Sequence, residues 1–327
     1  MNRQRWMDDT RSAWQDGTRE ALVDAGLDPA WLRNLVLRSL DEDLGGRPQR
    51  AGGGSGGGRT AGHDVTTEAT VSPDAEGAAH LVARAPGIVA GLPVLPVVVA
   101  EVAGWMGHPV PYIDALRRDG DRVQAGDVVA VLRGRTQVLL VAERTSLNLL
   151  SRVSGIATHT RAWADALEGT GAQVLDTRKT TPGLRMLEKY AVRCGGGTNK
   201  RMGLFDVAMI KDNHKIAAGS IAKAYELVTT RFPEVDVQVE VTTVAEAVEA
   251  VTAGARFLLC DNMSVPVLAD AVEAARAAAG IVPVEIEATG GLTLAVARDY
   301  ALTKVDYLSV GALTHSSSIL DLALDLT

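Results

Sequence analysis

Hydrophobic and polar positions follow three successive patterns along the chain. Over residues 1–44 the apolar positions have helical spacing, with Trp31, Leu32, Leu35, Val36 and Leu40 on one face. From about 78 to 142 the apolar runs are short and β-rich; within them GDRVQAGDVV (120–129) sets alternating residues between two Gly-Asp turn signals. From 143 a helical stretch over 145–168 leads into apolar runs of strand length at 173–176, 207–211, 235–241, 256–261, 284–288 and 306–310. Several of these runs are followed by Ala-rich helical stretches. Strand alternating with amphipathic helix predicts βαβ units and a parallel sheet. A complete eight-unit barrel takes about 250 residues. The chain beyond residue 172 is too short for one, so an open or shortened barrel is expected. The last apolar run, from Ile319 to Leu326, is expected to pack back onto the first domain.

Between the first two patterns lies GGRPQRAGGGSGGGRTAG (45–62), which has almost no side chains to bury and predicts a flexible loop. Gly53 to Gly58 followed by Arg59-Thr60 has the outline of a phosphate-binding P-loop. A P-loop follows a buried strand and uses a lysine; here Arg-Pro-Gln-Arg precedes the glycines and Arg59 stands in the lysine position. The β-rich segment resembles the sandwich of biotinyl and lipoyl carrier modules. Those modules need a lysine at a hairpin tip, and residues 64–142 contain none, so a structural domain or lid is the better reading.

Composition narrows the classes further. The 327 residues include 33 basic and 40 acidic side chains, a net charge of −7, which opposes bulk attraction to nucleic acid or anionic membrane. Aromatic residues make up 4% of the chain, too few for a base-stacking platform. The two cysteines, Cys194 and Cys260, form neither a disulfide framework nor a C-x-x-C pair, and Cys260, following Phe257-Leu258-Leu259, reads as a buried hydrophobe. Neither a signal-peptide stretch in the first twenty residues nor an apolar run of membrane-spanning length is found. The expectation is a cytoplasmic protein that binds neither nucleic acid nor membrane.

Chemistry concentrates at the ends of the predicted strands. Asp176 to Lys179, Lys211, Glu240, Asp261, Thr289-Gly290-Gly291 and Gly311 all lie at or near C-terminal strand ends, which in a βα barrel converge on one face. In Val237-Gln238-Val239-Glu240-Val241-Thr242 the valines share one face, so Glu240 points inward with Gln238 and Thr242. A carboxylate there needs a cation or hydroxyl partner, and Asp261 on the next strand can share it. Against these acids stand Arg178, Lys179, Arg185, Arg193, Lys200, Arg201 and Lys211, which on an acidic protein imply an anionic substrate. The glycines at 290–291, before a helical stretch from Leu292, and at 311 offer backbone N–H groups to phosphate. The residues alone reach an enzyme that binds a phosphorylated, metal-chelated ligand together with a carboxylate-rich one. They do not reach a reaction. Lys211 also occupies the position of a Schiff-base lysine in an aldolase, though the surrounding cations suit a dianion better. Cys194 has no predicted base, and His80, His108 and His159 lack metal-ligand spacing.

Longer motifs carry a resemblance. The runs ERTSLN (143–148), DTRKTTPG (176–183), EKYAVRCGGGTNKR (188–201), IKDNH (210–214), VEV (239–241), CDN (260–262), ATGGL (288–292) and SVGALTHS (309–316) resemble, in order, the quinolinate phosphoribosyltransferase family. The likeness runs from about residue 64 to the end. It implies an α/β protein with an N-terminal α/β sandwich domain (1–143, joined by 316–327) and a C-terminal open α/β barrel (144–315), in a homodimer. The implied activity is a pentosyl transfer: quinolinate and phosphoribosyl pyrophosphate give nicotinate mononucleotide, pyrophosphate and CO2, with Mg2+, in NAD biosynthesis. Carried over by position, Arg144 reaches into the partner's site. Arg178, Lys179, Arg201 and Lys211 hold the two quinolinate carboxylates, Thr177 and Lys200 are further substrate-binding residues, and Glu240 and Asp261 hold the ribose hydroxyls and Mg2+. Thr289, Gly290, Gly291, Gly311, Ala312 and Leu313 cradle phosphates with His315 nearby, and Lys179, Lys211, Glu240 and Asp261 form the catalytic set.

Two positions depart from the family pattern: Lys200 stands where His is usual, and Thr289 where Ser is common. A lysine stays charged at every working pH whereas a histidine can be neutral, so Lys200 is expected still to bind a quinolinate carboxylate but with an altered pH dependence. A paralogue acting on another pyridine carboxylate, or a homologue that binds without turnover, remains the alternative.

Overall fold

A computed structural model describes residues 14–45 and 62–327. The Gly-rich stretch, except at its two ends, and the P-loop look-alike lie outside the described residues. The first five strands are β1 (Glu76–Ala83), β2 (Gly87–Ile88), β3 (Tyr112–Ala115), β4 (Arg122–Val123) and β5 (Val128–Arg135). Six more follow: β6 (Gln173–Leu175), β7 (Val207–Ile210), β8 (Asp236–Val241), β9 (Phe257–Asp261), β10 (Glu285–Thr289) and β11 (Tyr307–Ser309). The last is β12 (Leu322–Leu326). The chain divides into two compact units, one reaching to Thr158 and including Ser318–Thr327, the other His159–Ser317.

The first unit is built on an antiparallel sheet of order β12-β1-β5-β3, beside a two-stranded ribbon of β2 and β4. The terminal apolar run is thus the strand that pairs with β1, Ala79 opposite Leu326 and Ala83 opposite Leu322. Helix Pro29–Leu44 starts where the Asp28 carboxylate accepts from the N–H groups of Ala30 and Trp31, and it stops at Gly45, whose φ is 73°. Its Leu32, Leu35, Val36 and Leu40 are buried. Arg33 donates from Nε to Oε1 of the buried Glu101 at 2.6 Å, tying this helix to helix Leu95–Met106.

Helix Leu95–Met106 replaces the short strands expected here. A β-branched run such as Val97-Val98-Val99 does not by itself separate a buried strand from a buried helix. Pro96 in the first turn and Gly107 at the C-cap, with φ 71°, bracket a helix. Every position from Val97 to Ala103 is buried, so no polar face reveals the period.

The long helix Thr136–Leu167 also begins inside the segment expected to be β-rich, and the division between units falls within it, after Thr158 rather than at 143/144. Side chains from its middle hold first-unit loops. Ser154 Oγ accepts from Ala90 N and donates to Ala90 O, and Thr158 Oγ1 accepts from Ile88 N at 2.8 Å. The returning chain crosses the same helix: Leu320 N donates to Ser151 O, and a Cβ built on Gly155 lies 2.0 Å from Ser318 O. Gly155→Ala is therefore expected to lose about 1–3 kcal/mol, as overpacking does. Urea denaturation checks this, and an unchanged midpoint would contradict the tight crossing.

The second unit is an open parallel sheet of order β6-β11-β10-β9-β8-β7, with β6 and β7 as its edges. Helices Arg185–Cys194, Asp212–Ala218, Ile221–Arg231, Val244–Thr252, Val265–Ala279 and Leu294–Ala301 connect its strands. The parity expected in β8 holds: Val237, Val239 and Val241 are buried on one face and Gln238 and Glu240 share the other. The fold is an α/β protein with an N-terminal antiparallel sheet unit and an incomplete barrel. Because its six strands are parallel, their C-terminal ends share one side. Among the described residues no helix is long and apolar enough to cross a membrane.

Candidate active site

A cavity of about 450 Å3 opens at those strand ends. Thr177, Arg178 and Lys179 reach it from beyond β6, Lys200 and Arg201 from the loop before β7, and Lys211 from the end of β7. Glu240, next to last in β8, lines it with Asp261 and Thr289, which end β9 and β10, and with Ser309, which ends β11. The cavity thus collects nine of the residues named from sequence and adds Met209, Leu259 and Ser309, which sequence reasoning missed. Gly290, Gly291, Gly311, Ala312, Leu313 and His315 are not among its lining residues. Arg144 is exposed on the part of the long helix that belongs to the first unit.

The two cationic loops are fastened by one buried acid. Asp176 is fully buried and accepts from Lys189 Nζ, from Asn199 Nδ2 at 2.7 Å and from the Lys200 N–H at 2.8 Å. Burial pushes this carboxyl up and the Lys189 ammonium down, each opposed by the other's charge. Lys189 Nζ also donates to Lys200 O at 3.0 Å. The 176–179 and 198–201 segments are therefore set against each other by a single hub. Thr314 Oγ1 donates to Lys179 O at 2.9 Å, adding the segment after β11 to the same frame.

This geometry separates the cations. Arg185 donates to Thr180 Oγ1, Met202 O and Arg178 O, and Arg193 donates to Asn199 Oδ1 and lies over the Tyr190 ring. Both brace the loops, so neither belongs to the expected anion-binding set; charge alone does not say which side of a loop an arginine occupies. Arg201 Nη1 donates to Val207 O at 2.8 Å; burial lowers its pKa, and the charge of Arg178 lowers it further. Among the described residues the buried Arg178 Nε has no hydrogen-bond partner.

Lys200, expected to bind substrate as a charged group, lines the cavity and also meets an acid that the sequence did not single out. Its Nζ lies 2.5 Å from Oε1 of Glu287, whose other oxygen accepts from Gln238 Nε2 at 2.7 Å. Burial lowers the Lys200 pKa, and Glu287 opposes that shift. Parity was the available signal for Glu287: it alternates with Ile286 and Ala288 as Gln238 does with its valines.

The acidic side is built by β8 and β9. Burial raises the Glu240 pKa, Asp261 and Asp212 raise it further, and Lys211 and the Asp212 N–H lower it. Lys215 Nζ fixes this strand end through Glu240 O, Glu246 and Asp212. Among the described residues no group of three or more His, Cys, Asp or Glu could by itself hold a metal. Two mutually repelling carboxylates do suit Mg2+, which binds through one or two protein carboxylates and takes its other oxygens from water and substrate phosphates.

The glycine loops differ in detail from expectation. Gly290 has φ 102°, and a Cβ there lies 2.1 Å from Asn262 Oδ1, so only glycine lets these loops meet. The following helix starts at Leu294, with Thr293 as its N-cap, rather than at Leu292. A Cβ on Gly311 lies 2.9 Å from Lys179 Cδ and 3.1 Å from His315 Nε2, so this glycine gives both side chains their room. The Leu313 side chain is core. Cys260 is buried, its thiol pushed up to about 12. His159 is held between Ser317 Oγ and Trp163 Nε1.

Comparison with known proteins gives the family. Residues 156–325 match the family model described as "Quinolinate phosphoribosyl transferase, C-terminal domain", and residues 64–154 match its N-terminal counterpart. The chain is 43% identical over 305 residues to "Nicotinate-nucleotide pyrophosphorylase [carboxylating]" of Mycobacterium leprae, covering 93% of this chain and all of that one. It is 40% identical over 276 residues to "Quinolinate phosphoribosyltransferase [decarboxylating] 1b" of Nicotiana tabacum, covering 80% and 77%. The solved structure of the nicotinate-nucleotide pyrophosphorylase from Francisella tularensis matches with a TM-score of 0.80 at 32% identity, over 92% of this chain and 98% of that one.

Proposed function

The chain belongs to the quinolinate phosphoribosyltransferase family and is a phosphoribosyltransferase, and from that premise we propose that it joins quinolinate to phosphoribosyl pyrophosphate with loss of CO2. The products are nicotinate mononucleotide and pyrophosphate. The observation that carries this reading is the single cavity in which Arg178, Lys179, Lys200, Arg201 and Lys211 meet Glu240 and Asp261. Few substrates need both a cationic wall for a dianion and a carboxylate pair for a sugar.

The cations bind the two quinolinate carboxylates and hold the pyridine nitrogen in line with C1 of the ribose. As pyrophosphate leaves C1, positive charge spreads over C1 and the ring oxygen, and the fixed Glu240 and Asp261 carboxylates stabilise it. The nitrogen lone pair forms the bond to C1. The resulting pyridinium accepts the electron pair released when the adjacent carboxylate departs as CO2, and that ring carbon then takes a proton. Lys179 and Lys211 offset charge on the carboxylates and the departing group. Thr289 to Gly291 and Gly311 to Leu313, with His315, receive phosphates through backbone N–H groups and side chains. Glu240 and Asp261 would hold Mg2+, which when bound neutralises pyrophosphate charge.

The proposal includes a homodimer in which Arg144 of each chain completes the partner's cavity. The apolar surroundings support a covered site: a second cavity, of about 630 Å3, shares Arg178, Arg201, Met209 and Lys211 with the first and is lined by Leu204, which is 75% exposed. Titration calorimetry tests the substrate assignment. Pyridine-2,3-dicarboxylate is expected to bind at least about a hundredfold more tightly than pyridine-3-carboxylate, one lost carboxylate contact in such a site being worth about 3 kcal/mol. Equal affinity for the two acids would overturn the reading.

A further inference from the structure

We propose that Glu287 is a positioning residue for quinolinate binding: it stands on the tier beneath the cavity and holds the Lys200 ammonium at the wall the diacid contacts. This deepens the functional reading above and rests on it.

The strand pleat defines the tier. Residues two apart on a strand point to the same face. Glu287 therefore lies one step below Thr289, and Gln238 one step below Glu240, where Thr289 and Glu240 line the cavity. Neither Glu287 nor Gln238 lines it, and both are 0% exposed. Glu287 Oε2 accepts from Gln238 Nε2 at 2.7 Å and Oε1 accepts from Lys200 Nζ at 2.5 Å. Lys200 is the member of this triad that reaches the cavity, through a side chain only 9% exposed.

The chemistry follows from the count of donors. An ammonium has three N–H groups; one is committed to Glu287, and two are left for a ligand carboxylate. A long lysine side chain samples many rotamers, and an anchor beneath it removes that freedom before substrate arrives. Glu287 is also the counter-charge that keeps the proton on a buried amine. The charged groups acting on Lys200 are Glu287 from β10, Arg201 beside it in the same loop, and Lys211 beyond β7; both of the latter repel it. From the other neighbouring strands, Cys260 of β9 and Tyr307 of β11 feel the Glu287 charge, and their own pKa values are raised. Neither carries a positive charge that replaces the lysine.

The test is steady-state kinetics of the full-length enzyme with Glu287→Gln, Lys200→Met and the double variant. Glu287→Gln is expected to raise the quinolinate KM at least about tenfold while kcat stays within about threefold and the phosphoribosyl pyrophosphate KM within about twofold. Its deficit relative to the parent in kcat/KM for quinolinate is expected to grow from pH 6.5 to 9, because an amine without its counter-charge loses its proton sooner. The double variant is expected to match Lys200→Met alone, since Glu287 acts through Lys200. An unchanged quinolinate KM, equal rises in both substrates' KM with a pH-independent ratio, or a double variant worse than Lys200→Met would overturn the assignment. If Glu287→Gln does not fold, the comparison of Lys200→Met with the double variant, which removes both buried charges, decides the question alone. A parent enzyme that fails to release CO2 from quinolinate would instead overturn the functional reading.

Discussion

Asp176→Ala is expected to destabilise the protein by about 3–5 kcal/mol, the loss typical of removing one partner from a buried ion pair. The side chain has no solvent to soften the change, and three donors depend on it: Lys189 Nζ, Asn199 Nδ2 and the Lys200 N–H. Substitution leaves the Lys189 ammonium buried and uncompensated, and it frees the loop that carries Lys200 and Arg201. Removing both charges in Asp176→Leu/Lys189→Met is expected to restore part of the stability, since apolar replacement of a buried pair is often neutral or better. It is not expected to restore substrate binding, because Asn199 and Lys200 still lack their acceptor. Guanidinium denaturation with calorimetry of pyridine-2,3-dicarboxylate separates the two effects. A single variant within about 1 kcal/mol of the parent would mean that Asp176 is not the hub, since the loss of a buried, charged acceptor alone costs more.

Arg178→Lys is expected to lower kcat/KM for quinolinate about a hundredfold or more, at 2–5 kcal/mol for truncating a buried charge contact. The planar fork of arginine matches a carboxylate in a way that a single ammonium does not. Among the described residues the buried Arg178 Nε has no hydrogen-bond partner, as a group reserved for a ligand should. Stability is expected to change little, because Arg185 bonds to the Arg178 carbonyl and not to its guanidinium. Kinetics beside a thermal melt checks both parts. A large fall in melting temperature with unchanged kcat/KM would assign Arg178 to structure instead.

Much of the second unit is legible in the sequence because each strand there carries its own parity. In β8 the buried valines at 237, 239 and 241 fix where Gln238 and Glu240 point, and the same alternation in β10 places Glu287 inward. Strand ends then announce the cavity, since Lys211, Glu240, Asp261 and Thr289 each close a run of apolar residues. Periodicity failed where the environment was apolar all round, as in helix Leu95–Met106, whose β-branched run looks like strand until its proline and glycine caps are weighed. Partnership across the chain was also hidden. Asp176 and Lys189 are thirteen positions apart, and Lys200 and Glu287 are eighty-seven apart, so no local pattern pairs them. Arg185 and Arg193 look like ligands for an anion by charge, and only the fold turns them toward loop carbonyls and Asn199.

The most direct test of the assigned reaction is a turnover assay with phosphoribosyl pyrophosphate, Mg2+ and quinolinate labelled in the carboxylate next to the ring nitrogen. CO2 and nicotinate mononucleotide are followed together, with nicotinate as the control acid. The expected result is one CO2 released per mononucleotide formed from quinolinate, and no mononucleotide from nicotinate. Mononucleotide formed without labelled CO2, or tight quinolinate binding with no product at all, would contradict it.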